Sequence, residues 1–318
     1  MSLSSRLQRL LVATDLSVRA EHAFNRAVQL ALQNNAKLTV LHVIPDELEP
    51  SFSEALKQQA RKALDSLVAQ AMAKGELQIE IAIKGGLDRE QIMKQVAQAA
   101  AHGETSVEVR IEPGSVYDII NETAATIDAD LVICGVHRRL IIGDEWLGST
   151  IDRVIRFGNR PVLVVKKPAE KAYEKILVGT DFSDQAAEAL KFALAAFPSA
   201  HFTLVNAFES TLPGFLTSAH ASSQAIDKRL EELRQFSETV MARTKADFGI
   251  SDLKVDQIVR EGDALEVLKQ LVEERDIDLT VVGTHGRTGL RRAILGSVSE
   301  SAIAKLPCDV LATRPKTM

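Results

Sequence analysis

Short apolar runs alternate with longer amphipathic stretches along the whole chain. The runs at residues 10–13 and 279–282 are almost continuously apolar, which is typical of parallel strands covered on both faces. The stretches between such runs place apolar residues at i, i+3, i+4 and i+7, which predicts amphipathic helices. Strands that alternate with helices predict an α/β fold with a parallel sheet and right-handed crossovers.

The pattern occurs twice. The segments RLLVATDLS and KILVGTDFS, at residues 9–17 and 175–183, are copies of one element that places Asp15 opposite Asp181. Helix, second strand, third strand and fourth strand follow in the same order in each copy. We therefore predict two β-α-β-α-β-α-β-α-β domains in one chain.

The two copies differ in length. The offset between equivalent residues is 166 at Asp15 and Asp181 but 148 at Gly135 and Gly283, so the first half carries 18 extra residues. The excess lies between residues 43 and 114. It is either an added strand-and-helix excursion, or a longer second helix followed by a displaced third strand.

A short charged segment, KKPAEKAYEK, separates the copies and lacks any apolar rhythm. It predicts a domain boundary near Pro168, with domains at residues 1–168 and 169–318. A chain of 318 residues is long enough for two domains of ordinary size.

Composition excludes several classes of protein. A net charge of -5 argues against a dedicated nucleic-acid binder, which needs a basic face. The two cysteines, Cys134 and Cys308, cannot build a disulfide framework or a thiolate metal site. No apolar run reaches transmembrane length. We expect a cytoplasmic protein in a reducing compartment, with no nucleic-acid partner and no membrane insertion.

The strongest candidate for chemistry is the stretch at residues 281–306, VVGTHGRTGLRRAILGSVSESAIAKL. It predicts a strand end, a glycine loop and a helix start. Glycine tolerates positive φ, and its missing side chain lets the backbone approach a ligand closely. The unpaired N–H groups and partial positive charge of a helix N-terminus suit phosphate. A phosphate site is predicted, and a plain strand-to-helix connection is the alternative.

The spacing Gly283-x2-Gly286-x9-Gly296-Ser297 fills all four positions of the pattern G-x2-G-x9-G-[ST]. In this the chain resembles the ATP-binding branch of the universal stress protein family, as a tandem member along essentially its whole length. The resemblance implies two doubly wound, Rossmann-like domains of the adenine nucleotide alpha hydrolase type. Each would have a mainly parallel five-stranded sheet, and the domains would pack as an intramolecular pseudo-dimer. Nucleotide would lie at the carboxyl ends of the strands.

The resemblance also implies which residues of the second domain contact the nucleotide. They are Thr180, Asp181, Ala207, Gly283, Thr284, His285, Gly286, Arg287, Gly289, Gly296, Ser297, Val298 and Ser299. The backbone of Ala207 would meet adenine, and the start of the last helix would meet phosphate. The expected cofactor is ATP with magnesium, for which Asp181 is the one suitable carboxylate. Asp181 is also expected to order the turn before the following helix.

The first half departs from the pattern at one position, because Arg138 stands where the second glycine belongs. A guanidinium there would fill the space in which backbone approaches ribose and phosphate. We expect an empty or repurposed first site, in which Arg138 and Arg139 could hold another anion. A working ATP site is the alternative.

Aromatic residues near the glycine loops have weaker implications. Trp146 is expected to fill space beside the first loop, with stacking on a ligand as the alternative. Phe208, Phe215 and Leu216 predict either a loop packed on the domain or a lid or partner surface.

Three functions compete. We favour a stress-response protein that binds ATP and acts as a nucleotide-dependent regulatory or partner-binding module. Its expected partner is a protein that the sequence does not identify, and a homodimer of the tandem chain is compatible with this function. The second function is that of an ATPase or nucleotidyl transferase. Against it, the loop from Gly283 to Ser299 contains no carboxylate before Glu300 and no Walker lysine pattern. No catalytic residue is predicted, and any hydrolysis should be slow. A ligand-free scaffold is the third.

Overall fold

The computed structural model describes residues 7–44, 58–63, 65–66, 77–81, 105–136, 149–209, 219–249, 253–284 and 295–314. The chain divides into two compact units, Leu7–Ala172 and Tyr173–Met318. Within each unit the strands pair in parallel, and helices lie between them along the chain.

The strands of the first unit are β1 (Arg9–Ala13), β2 (Lys37–Ile44), β3 (Leu77–Ile81), β4 (Thr105–Pro113), β5 (Leu131–Gly135) and β6 (Val162–Val165). Its helices are α1 (Val18–Asn34), α2 (Val116–Thr126) and α3 (Ser149–Phe157), and residues 58–63 and 65–66 are also helical. The strands pair in parallel in the order β3-β4-β2-β1-β5-β6.

The strands of the second unit are β7 (Lys175–Gly179), β8 (His201–Phe208), β9 (Lys254–Glu261), β10 (Leu279–Gly283) and β11 (Asp309–Thr313). Its helices are α4 (Asp184–Ala196), α5 (Ala219–Phe248), α6 (Ala264–Arg275) and α7 (Ser297–Lys305). The strands pair in parallel in the order β11-β10-β7-β8-β9.

The extra length of the first half contains an added strand. β3 pairs with β4. β4 is the equivalent of β9, because the glycines that follow these two strands, Gly114 and Gly262, have similar φ angles of 143° and 140°. The structure therefore shows the strand of the first alternative, whereas residues 82–104, where its helix was expected, lie outside the described residues. The first sheet has a sixth strand where five were predicted, and this strand pairs with an edge of β4 that would otherwise present unpaired backbone groups.

The backbone repeats along with the sequence. Leu16 and Phe182, which are equivalent, have φ angles of 62° and 64°, and Asp128 and Asp276 have angles of 51° and 53°. Positive φ is uncommon outside glycine, so its recurrence at equivalent residues shows that the two copies share their turns in detail.

Strand order creates a switch point in the second sheet. The connections through α4 and α5 carry the chain from β7 outward to β9, and the next connection returns to β10 on the other side of β7. Right-handed crossovers then place α4 and α5 on one face and α6 and α7 on the other, in agreement with the packing of α4 on α5 and of α6 on α7. Ligands of such sheets lie at the carboxyl ends of the strands beside this point.

The helix that follows each glycine turn is capped differently in the two units. The side chain of Asp263 accepts hydrogen bonds from the backbone N–H groups of Leu265 and Glu266, at 3.0 and 3.1 Å. Ser115 is the equivalent N-cap residue of α2 and makes no side-chain capping bond. The capping contribution to stability is therefore confined to α6 at this pair of positions.

We expect Asp263→Ala to lower the free energy of unfolding by about 1 kcal/mol, because two N–H groups at the start of α6 lose their acceptor. The matched change Ser115→Ala should alter the free energy of unfolding by only about a few tenths of a kcal/mol. Urea unfolding followed by circular dichroism measures both. Equal losses in the two variants would contradict the assignment of the cap.

Candidate functional site

The candidate residues of the second unit meet where β7, β8 and β10 end. Thr180 follows β7, Ala207 is the penultimate residue of β8, and Gly283 is the last residue of β10. These ends share one edge of the parallel sheet, beside the switch point. The predicted contacts His285, Gly286, Arg287 and Gly289 lie outside the described residues.

The turn after β7 is ordered by its own side chains. The hydroxyl of Thr180 accepts from the N–H of Phe182 at 3.0 Å, and Asp181 Oδ1 accepts from the N–H and the hydroxyl of Ser183 at 3.0 and 2.5 Å. Ser183 in turn caps α4 by accepting from the N–H of Ala186 at 3.2 Å. The predicted turn-ordering role of Asp181 is confirmed.

The first unit contains the same turn. The N–H of Leu16 donates to the Thr14 hydroxyl at 3.0 Å, the N–H of Ser17 donates to Asp15 Oδ1 at 3.0 Å, and Ser17 caps α1. Because the turn is common to both units, Asp181 by itself does not distinguish a ligand site from a helix start.

Backbone groups of Ala207 face the space beyond the end of β7. The register between β7 and β8 ends at the pair Gly179 and Val205. The last backbone hydrogen bond on this side runs from the N–H of Thr180 to the carbonyl of Val205, at 2.9 Å. In a parallel ladder, successive residues bond alternately to the two neighbouring strands. Ala207 therefore directs its N–H and C=O to the β7 side, where a ligand can meet one donor and one acceptor.

Asn206 fixes the end of β8 to the turn. Its side chain is buried, with 3% exposure, and its Nδ2 donates to the carbonyl of Thr180 at 2.8 Å. In the first unit, His42 replaces Asn206, and its Nδ1 lies 2.9 Å from the carbonyl of Thr14. Since a carbonyl oxygen can only accept, this nitrogen carries the proton.

Arg229 of α5 reaches the same strand end. Its Nη1 donates to Asn206 Oδ1 at 3.3 Å, and its Cζ lies 4.5 Å from the centroid of the Phe208 ring, the geometry of a cation–π contact. Neither Asn206 nor Arg229 was predicted from the sequence. The available signal for Asn206 was a polar residue near the end of a mostly apolar strand, which recurs as His42 in the other copy. Phe208 is the last residue of β8, and Phe215 and Leu216 lie outside the described residues.

The start of α7 is tied to the end of β10. The N–H of Gly296 donates to the carbonyl of Thr284 at 3.0 Å, and the hydroxyl of Ser299 donates to the carbonyl of Gly283 at 2.6 Å. Gly296 is the N-cap residue and provides no side-chain capping bond to the first N–H groups of the helix. Ser297 is exposed there, and so is Val298. The first turn of α7 therefore keeps donors for an anion.

Two predicted contact residues use their side chains within the unit. The N–H and the hydroxyl of Thr284 both donate to the carbonyl of Thr313, at 3.0 and 3.2 Å. Ser299 is buried and bonded to Gly283 as described. Their hydroxyl groups hold the glycine loop at its two ends, whereas Ser297 presents its hydroxyl at the surface.

Neither end of the glycine pattern needs glycine for its own conformation or packing. Gly296 has a φ of -61°, and Gly283 is not among the glycines with positive φ. A Cβ on Gly283 would lie 3.7 Å from the backbone of Gln185, and one on Gly296 would lie 3.7 Å from the carbonyl of Thr284, both ordinary contacts. Positive φ and tight packing against the described residues are therefore both excluded as the reason for glycine at these two positions.

The corresponding region of the first unit is described only in part. The N–H of Val136 donates to the carbonyl of Val165 at 3.3 Å, as Thr284 does to Thr313 in the second unit. The candidates Arg138, Arg139 and Trp146 lie outside the described residues.

Other chemistry receives no support from the described residues. No group of three or more His, Cys, Asp or Glu side chains among them could hold a metal ion. Both cysteines are buried, and burial raises the pKa of the Cys134 thiol to about 12, so that no thiolate forms there near neutral pH. None of the described helices is long and apolar enough to cross a membrane.

Comparison with known proteins agrees with the repeat. The model of the universal stress protein family matches residues 6–166 and again residues 172–314. A universal stress protein of Methanocaldococcus jannaschii is 30% identical over 148 residues, which cover 46% of this chain and 84% of the relative. A universal stress protein E homolog of Haemophilus influenzae is 28% identical over 224 residues, covering 62% of this chain and 66% of the relative. The crystal structure of a universal stress protein from Archaeoglobus fulgidus has the same fold, with a TM-score of 0.60, 18% identity, and coverage of 96% of this chain and 98% of that chain.

The packing around the glycines predicts which of them tolerate a methyl group. Gly283→Ala and Gly296→Ala should change the free energy of unfolding by less than about 1 kcal/mol, because the added Cβ makes only ordinary contacts. Gly158→Ala is the matched control: its Cβ would lie 2.5 Å from Asn121 Oδ1 and from the carbonyl of Val154, and should cost about 1–3 kcal/mol. Chemical denaturation measures all three, and a loss at Gly296 as large as at Gly158 would mean that the fold itself requires that glycine.

Proposed function

Because this chain belongs to the universal stress protein family, we propose that it is a cytoplasmic stress-response protein that binds ATP, with magnesium, in its second unit. Binding would bias the unit toward or away from a protein partner, so that the protein acts as a nucleotide-dependent regulatory module. The observation that carries the proposal is the pair Gly283 and Gly296, whose missing side chains are not explained by packing or by backbone conformation.

The two ends of the site suit the two ends of a nucleotide. The N–H and C=O of Ala207 offer one donor and one acceptor, which a nucleobase edge can match. The start of α7 offers unpaired N–H groups and the positive end of its dipole to phosphate, with the Ser297 hydroxyl beside them. The strands β8, β7 and β10 are consecutive neighbours, so these ends are about 10 Å apart across the sheet.

The surroundings favour binding over turnover. Phosphoryl transfer needs carboxylates that hold metal ions and a group that positions the nucleophile. The stretch from Gly283 to Ser299 contains no carboxylate. Asp181, which follows β7, already accepts two hydrogen bonds from Ser183 on one oxygen. We infer that ATP is held as a ligand and that its occupancy is the signal.

Ser297→Ala should weaken ATP binding roughly ten- to hundredfold, because it removes one charge-assisted hydrogen bond to phosphate while leaving the amide in place. Ser149, the equivalent residue at the start of α3, supplies the matched control, since Ser149→Ala should leave the affinity unchanged. Isothermal titration calorimetry measures both dissociation constants. The reverse ranking would place the ATP site in the first unit.

ATP should stay largely intact when it is incubated with the protein and magnesium, because the described site offers no set of catalytic carboxylates. Chromatography of the nucleotide over several hours measures this. A single turnover per chain is compatible with the proposal. Sustained turnover at about 1 per second or faster that is lost in Asp181→Ala would contradict the proposal and show that the protein is an enzyme.

A further inference from the structure

Arg229 is held at the carboxyl end of β8 by neutral groups. Its two partners are the Asn206 side-chain oxygen and the Phe208 ring, and no ion pair to a carboxylate within the described residues is found for it. Arg234, five residues further along the same helix, pairs with Glu231 and Glu238 at 3.7 and 3.6 Å. A half-buried guanidinium that has no counter-charge among the described residues, beside a candidate ligand site, is suited to binding a ligand acceptor.

The position of Arg229 is built by the same contacts that build the site. Asn206 donates to the carbonyl of Thr180 with its amide nitrogen and accepts from Arg229 with its amide oxygen, so one buried side chain links the β7 turn to the guanidinium. The Phe208 ring supports the guanidinium at 4.5 Å. A guanidinium has five N–H donors, and the bond to Asn206 occupies one of them. The remaining donors lie at the strand end that also carries Ala207.

The arrangement belongs to the second unit only. The residue equivalent to Phe208 in the first unit is Ile44, which has no ring to support a guanidinium, and the residue equivalent to Asn206 is His42. The support for Arg229 therefore occurs in the unit with the complete glycine pattern, although neither Phe208 nor Asn206 is part of that pattern.

We propose that Arg229 contacts the nucleobase and donates a hydrogen bond to a ring nitrogen of the purine whose edge lies against Ala207. The inference rests on the proposed function and names a contact that the glycine pattern does not contain. The base is the favoured recipient because Arg229 lies at the end of β8, whereas the phosphate-binding start of α7 follows β10, two strand spacings or about 10 Å away. The fixed fork of the guanidinium makes the contact directional.

The first test uses ligands that share a base and differ in phosphate. We expect Arg229→Ala to weaken binding of adenosine, AMP and ATP by the same factor, about tenfold or more. Arg229→Lys should not restore the affinity, because lysine keeps the charge but loses the fork and the contact with the ring. Arg234→Ala is the control on the same helix and should bind like the wild type. A loss that grows from adenosine to ATP, or rescue by lysine, would overturn the assignment to the base.

A second test separates direct contact from loosening of the Thr180 turn. The wild type should bind at least one of 1-deaza-, 3-deaza- and 7-deaza-adenosine about tenfold more weakly than adenosine, and Arg229→Ala should bind that analogue and adenosine alike. A uniform loss for adenosine and all three analogues in Arg229→Ala would show a structural role only. A wild type that binds no nucleotide would defeat the proposed function, whereas a wild type that binds ATP and an Arg229→Ala variant that matches it would defeat this inference alone.

Discussion

The early end of β7 is the constraint on which the candidate site depends. After Gly179 the chain leaves the sheet through a turn with a left-handed residue, Phe182, and enters α4, while β8 continues to Phe208. The pairing of β8 with β7 ends at Val205, so none of the described strands lies opposite the backbone of Ala207 on that side. Asn206 holds this geometry, because its side chain bonds the carbonyl of Thr180 that the turn would otherwise leave buried without a donor.

Much of this could be predicted from the sequence, because the signals are local or repeated. The apolar runs and the duplicated turns give the parallel sheets, and the change in offset places the extra length of the first half before Gly114. Whether that length forms a strand depends on pairing between β3 and β4, a non-local contact that periodicity cannot reveal. Arg229 was missed for a similar reason, whereas Asn206 left a local signal in the strand sequence. Only the fold brings a residue of α5 over the end of β8.

The structure also changes the physical meaning of the glycine pattern. Glycine at a strand end commonly suggests positive φ, but Gly296 has an ordinary backbone and Gly283 does not adopt positive φ. Both have room for a methyl group within the fold. The packing of the described residues therefore does not require glycine at these two positions.

Both units contain the same turn after their first strand and the same hydrogen bond that ends the pairing of their first two strands. In both, a hydrogen bond also joins the residue after the fourth strand of the repeat to the end of the last strand. The expected difference in binding therefore depends on a few residues. The central claim is that one unit binds ATP and the other does not, because Arg138 replaces the glycine equivalent to Gly286. Native mass spectrometry of the wild type and of Gly286→Arg in the presence of ATP tests it most directly. We predict one ATP per wild-type chain and none in the variant, with an unchanged circular dichroism spectrum. Two equivalents in the wild type, or undiminished binding in Gly286→Arg, would contradict the claim.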